Sequence, residues 1–381
     1  MNAFITQICT FLPNEPISND RIEDVLGKVN GRESSARARV LRNNGIRQRY
    51  YAIDPKTGQP THNNAQLTAE AVRKLLKSSG AELRDVPLLS VGTASPDQLI
   101  PAHGPMVHGE LGTPPCEVFT AAGACTASMA ALKYAAMAVG AGHATSAIVT
   151  GSELMSPLMR ARHFAPELES RLQALEKDPH VAFEHEFLRW MLSDGAGACL
   201  VESAPTKRGS QPVLKIQWLE SVSFAGQLET CMYHLARKHD GRLDGWKQAD
   251  PSEWIKGGFF NVGQDARMLG KHIGTAVADA IKLAVDRRGL TSDQVDWFLP
   301  HISSAFFRGE IAKQLPRIGF PIPEERVFTN LSTVGNIGTA SVFAMLEELL
   351  DSGRAKPGQK IFCVIPESAR FNASFALLEV V

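Results

Sequence analysis

Short apolar runs rich in β-branched residues alternate along the whole chain with segments of helical periodicity. Such alternation predicts an α/β fold, a sheet covered by helices. Residues 66–79 carry apolar positions at helical spacing and end at Gly80, a helix with a glycine stop. A buried strand is expected from Val86 to Ser95, and another from Ser146 to Gly151. Asp194-Gly-Ala-Gly reads as a tight turn feeding a strand that ends at Glu202. The second half predicts a helix over 270–289, a strand over Val295–Ser304, and strands over Lys360–Pro366 and Asn372–Val380.

The two halves repeat one order of elements. Each contains a helix, a strand, and then a small-residue elbow that opens a further helix: Ala124-Cys125-Thr126-Ala127 in the first, Gly335-Asn336-Ile337-Gly338 in the second. Thr93 precedes Cys125 by 32 positions and His301 precedes Asn336 by 35. An internal duplication explains both observations, with a first half over 1–205 and a second over 206–381. Residues 157–190 are charged and helix-prone. Residues 225–265 hold Trp246, Trp254 and Gly257-Gly258-Phe259-Phe260. Neither segment fits the repeat, and both read as insertions that cap a pocket.

The first elbow carries the chemistry. Cys125 follows an apolar approach (Val118, Phe119, Thr120) and precedes an Ala-rich helix. A thiol at a helix N-terminus meets unpaired N–H groups and a dipole that favour the thiolate, so Cys125 is read as a nucleophile rather than one more buried cysteine. His301 ends an apolar strand after Pro300, and Asn336 stands at the second elbow. Alone, His301 reads as a core residue and Asn336 as a helix cap. Together with Cys125 they form a nucleophile, an imidazole and a neutral amide donor, a set suited to acyl transfer through a thioester.

Composition excludes several alternatives. Forty basic and forty acidic residues cancel, so no electrostatic footprint for nucleic acid or an anionic membrane is expected. No apolar stretch is long enough to span a bilayer, and the N-terminus reads as a first strand, not a signal peptide. Six scattered cysteines without pairing rhythm suggest reduced thiols and a cytoplasmic setting. No serine stands in a Gly-x-Ser-x-Gly elbow. His103/His108, His180/His185 and His234/His239 are five apart, off the helical face that a zinc site needs, so neither metal nor cofactor is expected.

Taken in order, Ala121-Ala122-Gly123-Ala124-Cys125-Thr126-Ala127-Ser128, Val149-Thr150-Gly151-Ser152-Glu153, Ser193-Asp194-Gly195-Ala196, Pro300-His301, Gly335-Asn336-Ile337-Gly338 and Lys356-Pro357-Gly358 resemble the 3-oxoacyl-[acyl-carrier-protein] synthase III family of the thiolase superfamily. The resemblance implies a five-layered αβαβα fold, a homodimer, and a condensing enzyme without cofactor. It implies that Cys125 takes an acyl group from a coenzyme A or acyl-carrier-protein thioester. His301 and Asn336 would then bind the thioester carbonyl of a malonyl- or 3-oxoacyl-carrier nucleophile. The backbone N–H groups of Cys125 and Ala369 would form the oxyanion hole.

The chain departs from the family at two places. The glycine-rich turn near the C-terminus reads Glu367-Ser368-Ala369-Arg370-Phe371, where Ala369 has less backbone freedom than glycine. The tryptophan that commonly stacks the coenzyme A adenine aligns with Arg39, in a stretch holding Arg37, Arg39, Arg42, Arg47 and Arg49. Arg39, Arg42 and Arg47 would suit a carrier phosphate or an acidic carrier helix. This shifts the expectation toward a carrier-bound donor and a secondary-metabolite branch such as dialkylresorcinol formation. Ile100, Met106 and Phe119 would set the depth of the acyl pocket across a dimer. Two alternatives stay open: acyl transfer without decarboxylation, and a non-catalytic partner subunit.

Overall fold

The computed structural model describes residues 2–31, 33, 34, 37–164, 187–239 and 241–381. Their main sheet has nine strands. In chain order these are β1 (Phe4–Phe11), β2 (Leu88–Thr93), β3 (Glu117–Ala122), β4 (Ser146–Glu153), β5 (Gly195–Glu202), β6 (Leu214–Ser223), β7 (Trp297–Pro300), β8 (Lys360–Glu367) and β9 (Asn372–Val380). The spatial order is β7-β8-β9-β6-β1-β5-β4-β2-β3.

Directions along the sheet repeat from its centre outward. On one side β1 is antiparallel to β5 and β5 to β4, whereas β4, β2 and β3 run parallel. On the other side β6 is antiparallel to β9 and β9 to β8, whereas β8 and β7 run parallel. A parallel bridge from Phe298 to Val327 stands where a fifth strand would pair. The two sides join through Phe4↔Lys215 and Ile5↔Leu214.

Alternation within the strands builds the layers, because successive side chains leave opposite faces. Leu89, Val91, Ile148 and Leu200 face outward and pack with Leu67, Val72 and Leu75 of α1 (Asn64–Ser79), with Val107 of α2 (His103–Leu111) in the same cluster. Leu88, Val149 and Val201 face the other way. They share one core with Ile361, Cys363 and Leu378 of the second half. That core is filled by α3 (Ala127–Gly140), and by a further helix over Ser341–Asp351. On the far face, Phe298, Phe362 and Phe375 pack against α4 (Ala266–Arg288) and α5 (Ala305–Gln314). The Ser341–Asp351 helix is hereafter α6. The result is the five-layered, thiolase-like αβαβα arrangement, with α3 and α6 as the middle layer.

Most expected elements appear with ends moved by a few residues. The second elbow differs more: α6 begins at Ser341, and Gly338–Ala340 form a 3₁₀ turn before it. Within 225–265, Met232–Tyr233 pairs with Gly263–Gln264, and Trp246, Trp254 and Phe260 cluster beside a small hairpin. Most of the segment expected over 157–190, and His180 with His185, lie outside the described residues.

The middle layer depends on strand positions without side chains. A Cβ at Gly92 would stand 2.5 Å from the Ala127 backbone carbonyl carbon and 2.6 Å from the Ser128 nitrogen, backbone atoms that have little freedom to retreat. Gly92→Ala is therefore expected to cost about 1–3 kcal/mol by overpacking, seen as a melting temperature several degrees lower. An unchanged melting temperature would contradict this packing.

Candidate active site

The first elbow turns out of β3 at Ala122, and α3 starts at Ala127 with Thr126 before it. Cys125 is half-buried. Thr126 Oγ1 donates to Glu367 Oε2 at 2.7 Å, which ties this elbow to the end of β8 in the other half. Across the middle layer, Ser128 Oγ donates to the Thr339 carbonyl, also at 2.7 Å. The two elbows are thus bonded to each other directly.

The second elbow is held just as closely. The Asn336 carbonyl accepts from Ser193 N and its N–H donates to Met191 O. Its Oδ1 accepts from Gly338 N at 3.0 Å, which leaves the Nδ2 amide as the free donor end of the side chain. Gly338 has φ +50°, and a Cβ there would lie 2.4 Å from Glu153 Cγ, so only glycine fits this turn. His301 leaves β7 with its N–H on Val364 O and is 4% exposed. Cys125, His301 and Asn336, far apart in the chain, line one cavity of about 340 Å³.

Burial governs the electrostatics here. It pushes the His301 imidazole down to about 4, so the ring is neutral near pH 7. Burial also raises the Cys125 thiol, and the nearby carboxylates of Glu153 and Glu367 raise it further. Cys125 stands before the first helical turn, and these effects act against the thiolate that helix position favours. Glu153 is itself pushed up to about 7 by burial, against hydrogen bonds that favour its charged form. It accepts from Ala94 N, Ser95 Oγ and Thr339 N, and so touches both halves.

The remaining expected residues fall in different places. Ala369 lines the cavity, and its carbonyl accepts from Cys231 N at 2.8 Å and Met232 N at 3.2 Å. The left-handed residue of that turn is Phe371, φ +54°, rather than Ala369, so the position expected to need glycine does not. Arg39, Arg42 and Arg47 are exposed and do not line the cavity, and Arg47 donates to Ser332 Oγ. Their neighbours are structural: Arg37 pairs with Glu23, and buried Arg49 donates to Asn19 Oδ1 and Trp190 O. Ile100 is 88% exposed, and Phe119 stacks on Tyr134 with centroids 4.1 Å apart. Neither lines the cavity.

Several lining residues escaped the sequence reading. Glu153 and Glu367 each end a buried strand, the one available signal for a carboxyl aimed at a site. His234 comes from the 225–265 segment, and its neutral form is favoured by burial. Asp194, read as part of a turn, is a buried anchor that accepts from Ala52 N, Met155 N and Ser156 N. Among the described residues no cluster of side chains could hold a metal ion, and no helix is long and apolar enough to cross a membrane.

Comparison with known proteins agrees with this geometry. The family model for the C-terminal part of 3-oxoacyl-[acyl-carrier-protein] synthase III matches residues 285–364, a span that includes His301 and Asn336. The β-ketoacyl-[acyl-carrier-protein] synthase III of Hyphomonas neptunium is 25% identical over 94% of this chain and 93% of its own length. Among solved structures, a tetronic acid condensing enzyme superposes with a TM-score of 0.74 at 19% identity, covering 99% of both chains. The 3-oxoacyl-(acyl carrier protein) synthase III of Pseudomonas aeruginosa gives 0.70 at 21% identity, covering 100% of this chain and 99% of its own. Over nearly its whole length the chain is similar to β-ketoacyl-[acyl-carrier-protein] synthase III enzymes, residues 285–364 match the C-terminal model of that family, and the chain is a condensing acyltransferase.

Proposed function

We propose that Cys125, His301 and Asn336 are the catalytic residues of a decarboxylating condensation. The observation that carries the reading is their convergence on one cavity from two bonded elbows. Cys125 Sγ attacks the carbonyl of an acyl thioester, the carbon–sulfur bond to the carrier breaks, and the departing thiol takes the cysteine proton. In the second step the malonyl carboxylate leaves as carbon dioxide. Its electron pair forms an enolate whose oxygen faces the His301 N–H and Asn336 Nδ2 donors. The enolate carbon attacks the acyl group, a carbon–carbon bond forms, the Cys125 carbon–sulfur bond breaks, and the thiolate takes a proton from water. Two neutral donors in a desolvated cavity suit a charge that exists only in passing.

The N–H groups of Cys125 and Ala369 are proposed as the oxyanion hole. The carbonyl bonds from Cys231 and Met232 support this by fixing the turn that holds Ala369. Arg39, Arg42 and Arg47 form an exposed cationic stretch suited to an acyl carrier protein, with coenzyme A as the other donor. The edge strand β3, unpaired on its outer side among the described residues, supports assembly as a homodimer. Six free cysteines support a reducing, cytoplasmic compartment. A secondary-metabolite role is proposed over housekeeping fatty-acid initiation, on the arginine found where the family's adenine-stacking tryptophan stands.

The variants should separate the two steps. Cys125→Ala should form no acyl adduct by intact mass spectrometry. His301→Ala and Asn336→Ala should still load Cys125, yet lose about a hundredfold or more in condensation and carbon dioxide release. Condensation without carbon dioxide would turn the reading toward plain acyl transfer.

Thiol reactivity gives a pH test. Because the Cys125 thiol is raised, its alkylation by iodoacetamide should climb continuously above pH 7. Glu153 is ionised above about 7 and repels the thiolate, so Glu153→Gln should lower the thiol pKa and speed alkylation at pH 8 by about three- to tenfold. A rate already at its plateau at pH 6 would show a resting thiolate and contradict the account.

A further inference from the structure

The loading step leaves one proton without a carrier. Burial and two carboxylates hold the Cys125 thiol in its protonated form, so the sulfur has to lose its proton while it attacks. The departing thiol has to gain one. A group that holds the proton between these events must present a vacant acceptor atom to the cavity.

The two halves place a glutamate at the end of equivalent strands, Glu153 on β4 and Glu367 on β8, and both line the cavity. They are held differently. Glu153 has both oxygens occupied: Oε1 accepts from Ala94 N and Thr339 N, each at 3.2 Å, and Oε2 from Ser95 Oγ at 2.7 Å. Glu367 is 8% exposed, and its Oε2 accepts from Thr126 Oγ1, on the residue that follows Cys125. Asn372 Nδ2 donates to the same hydroxyl at 3.2 Å, which leaves the hydroxyl proton to Glu367. Among the described residues no donor reaches Glu367 Oε1. No lysine or arginine lines the cavity, so this oxygen is not taken up by an ion pair there.

We propose that Glu367 is a further catalytic residue, the base and then the acid of the loading step. Its Oε1 takes the proton of Cys125 Sγ as the sulfur–carbon bond forms and the carbonyl electrons move to oxygen. When the tetrahedral adduct collapses, the bond to the carrier sulfur breaks. That sulfur takes the proton from Glu367, which returns to the carboxylate. No proton or electron is gained or lost overall. His301 and Asn336 have no part in this transfer and remain the donors to the enolate. The proposal rests on the condensing reading only for the acyl thioester that reaches Cys125.

The test is rapid-quench loading of the full-length protein with octanoyl-coenzyme A, read as the Cys125 adduct by intact mass spectrometry, with no malonyl thioester present. Glu367→Gln keeps an oxygen for Thr126 Oγ1 but cannot take the proton, and should slow loading about a hundredfold. Iodoacetamide alkylation of the same variant at pH 8 should hold or rise, because a carboxylate that disfavours the thiolate is gone. A distorted elbow would lower both rates, so the opposed directions mark a proton carrier. S-phenyl thiooctanoate, whose thiolate leaves without a proton, should restore about tenfold of the lost rate.

The wild-type protein gives a check that holds even if the variant folds poorly. Its alkylation follows the ionised thiol and climbs from about pH 7 to 9. Loading through Glu367 draws on the neutral thiol and should change less than about threefold over that range. Loading that climbs in parallel with alkylation, or Glu367→Gln protein that loads at the wild-type rate, would overturn the proposal. Loading lost in His301→Ala but kept in Glu367→Gln would also overturn it and assign the proton to the imidazole. Loading is read without a malonyl nucleophile, so failure of condensation leaves these results standing. A Glu367 result that fails likewise leaves the condensing reading untouched.

Discussion

The site depends on a buried carboxyl that bonds both halves of the molecule. Glu153 ends β4 of the first half, accepts from Ala94 N and Ser95 Oγ beside it, and accepts from Thr339 N at the second elbow. Gly338 leaves room for it where any side chain would collide. The bond between Ser128 and Thr339 closes the same junction from the helix side. Removing one partner of such a network leaves a buried polar group unmet, which costs more than the bond contributed. That asymmetry keeps the elbows in register, and with them Cys125 and Asn336.

A second consequence is electrostatic. The residues that meet at the junction are desolvated, so His301 stays neutral, Glu153 holds its proton to near neutrality, and the Cys125 thiol resists ionisation. A neutral imidazole and a neutral amide hold no fixed charge in the resting state. Donors fixed in the cavity act mainly on charge that develops during reaction.

Much of this arrangement was legible in the residues because it depends on local pattern. The alternation of strands and helices and the two small-residue elbows follow from periodicity and from glycine and alanine at tight turns. The cavity's acid–base character was not legible. Helix position alone favoured a thiolate at Cys125, whereas burial and the carboxylates of Glu153 and Glu367 act in the opposite direction. Neither carboxylate adjoins Cys125 in sequence, so no spacing rule could have shown them. Arg39, Arg42, Arg47, Ile100 and Phe119 were chosen by local chemistry and family alignment, and all lie away from the cavity walls. The wall that Met232 and His234 form depends on how the 225–265 segment docks on the turn at Ala369, a tertiary fact.

The central claim is that Cys125 carries the acyl group and that His301 and Asn336 of the second half stabilise the enolate formed from the malonyl carrier. It is tested most directly by isolating the isotopically labelled acyl-Cys125 enzyme and chasing it with malonyl-carrier protein in a quenched-flow experiment. The account predicts that label leaves the protein only when malonyl-carrier protein is added, in step with carbon dioxide, and appears in a 3-oxoacyl product. Label that leaves at the same rate without malonyl-carrier protein, or that never attaches to Cys125, would contradict it.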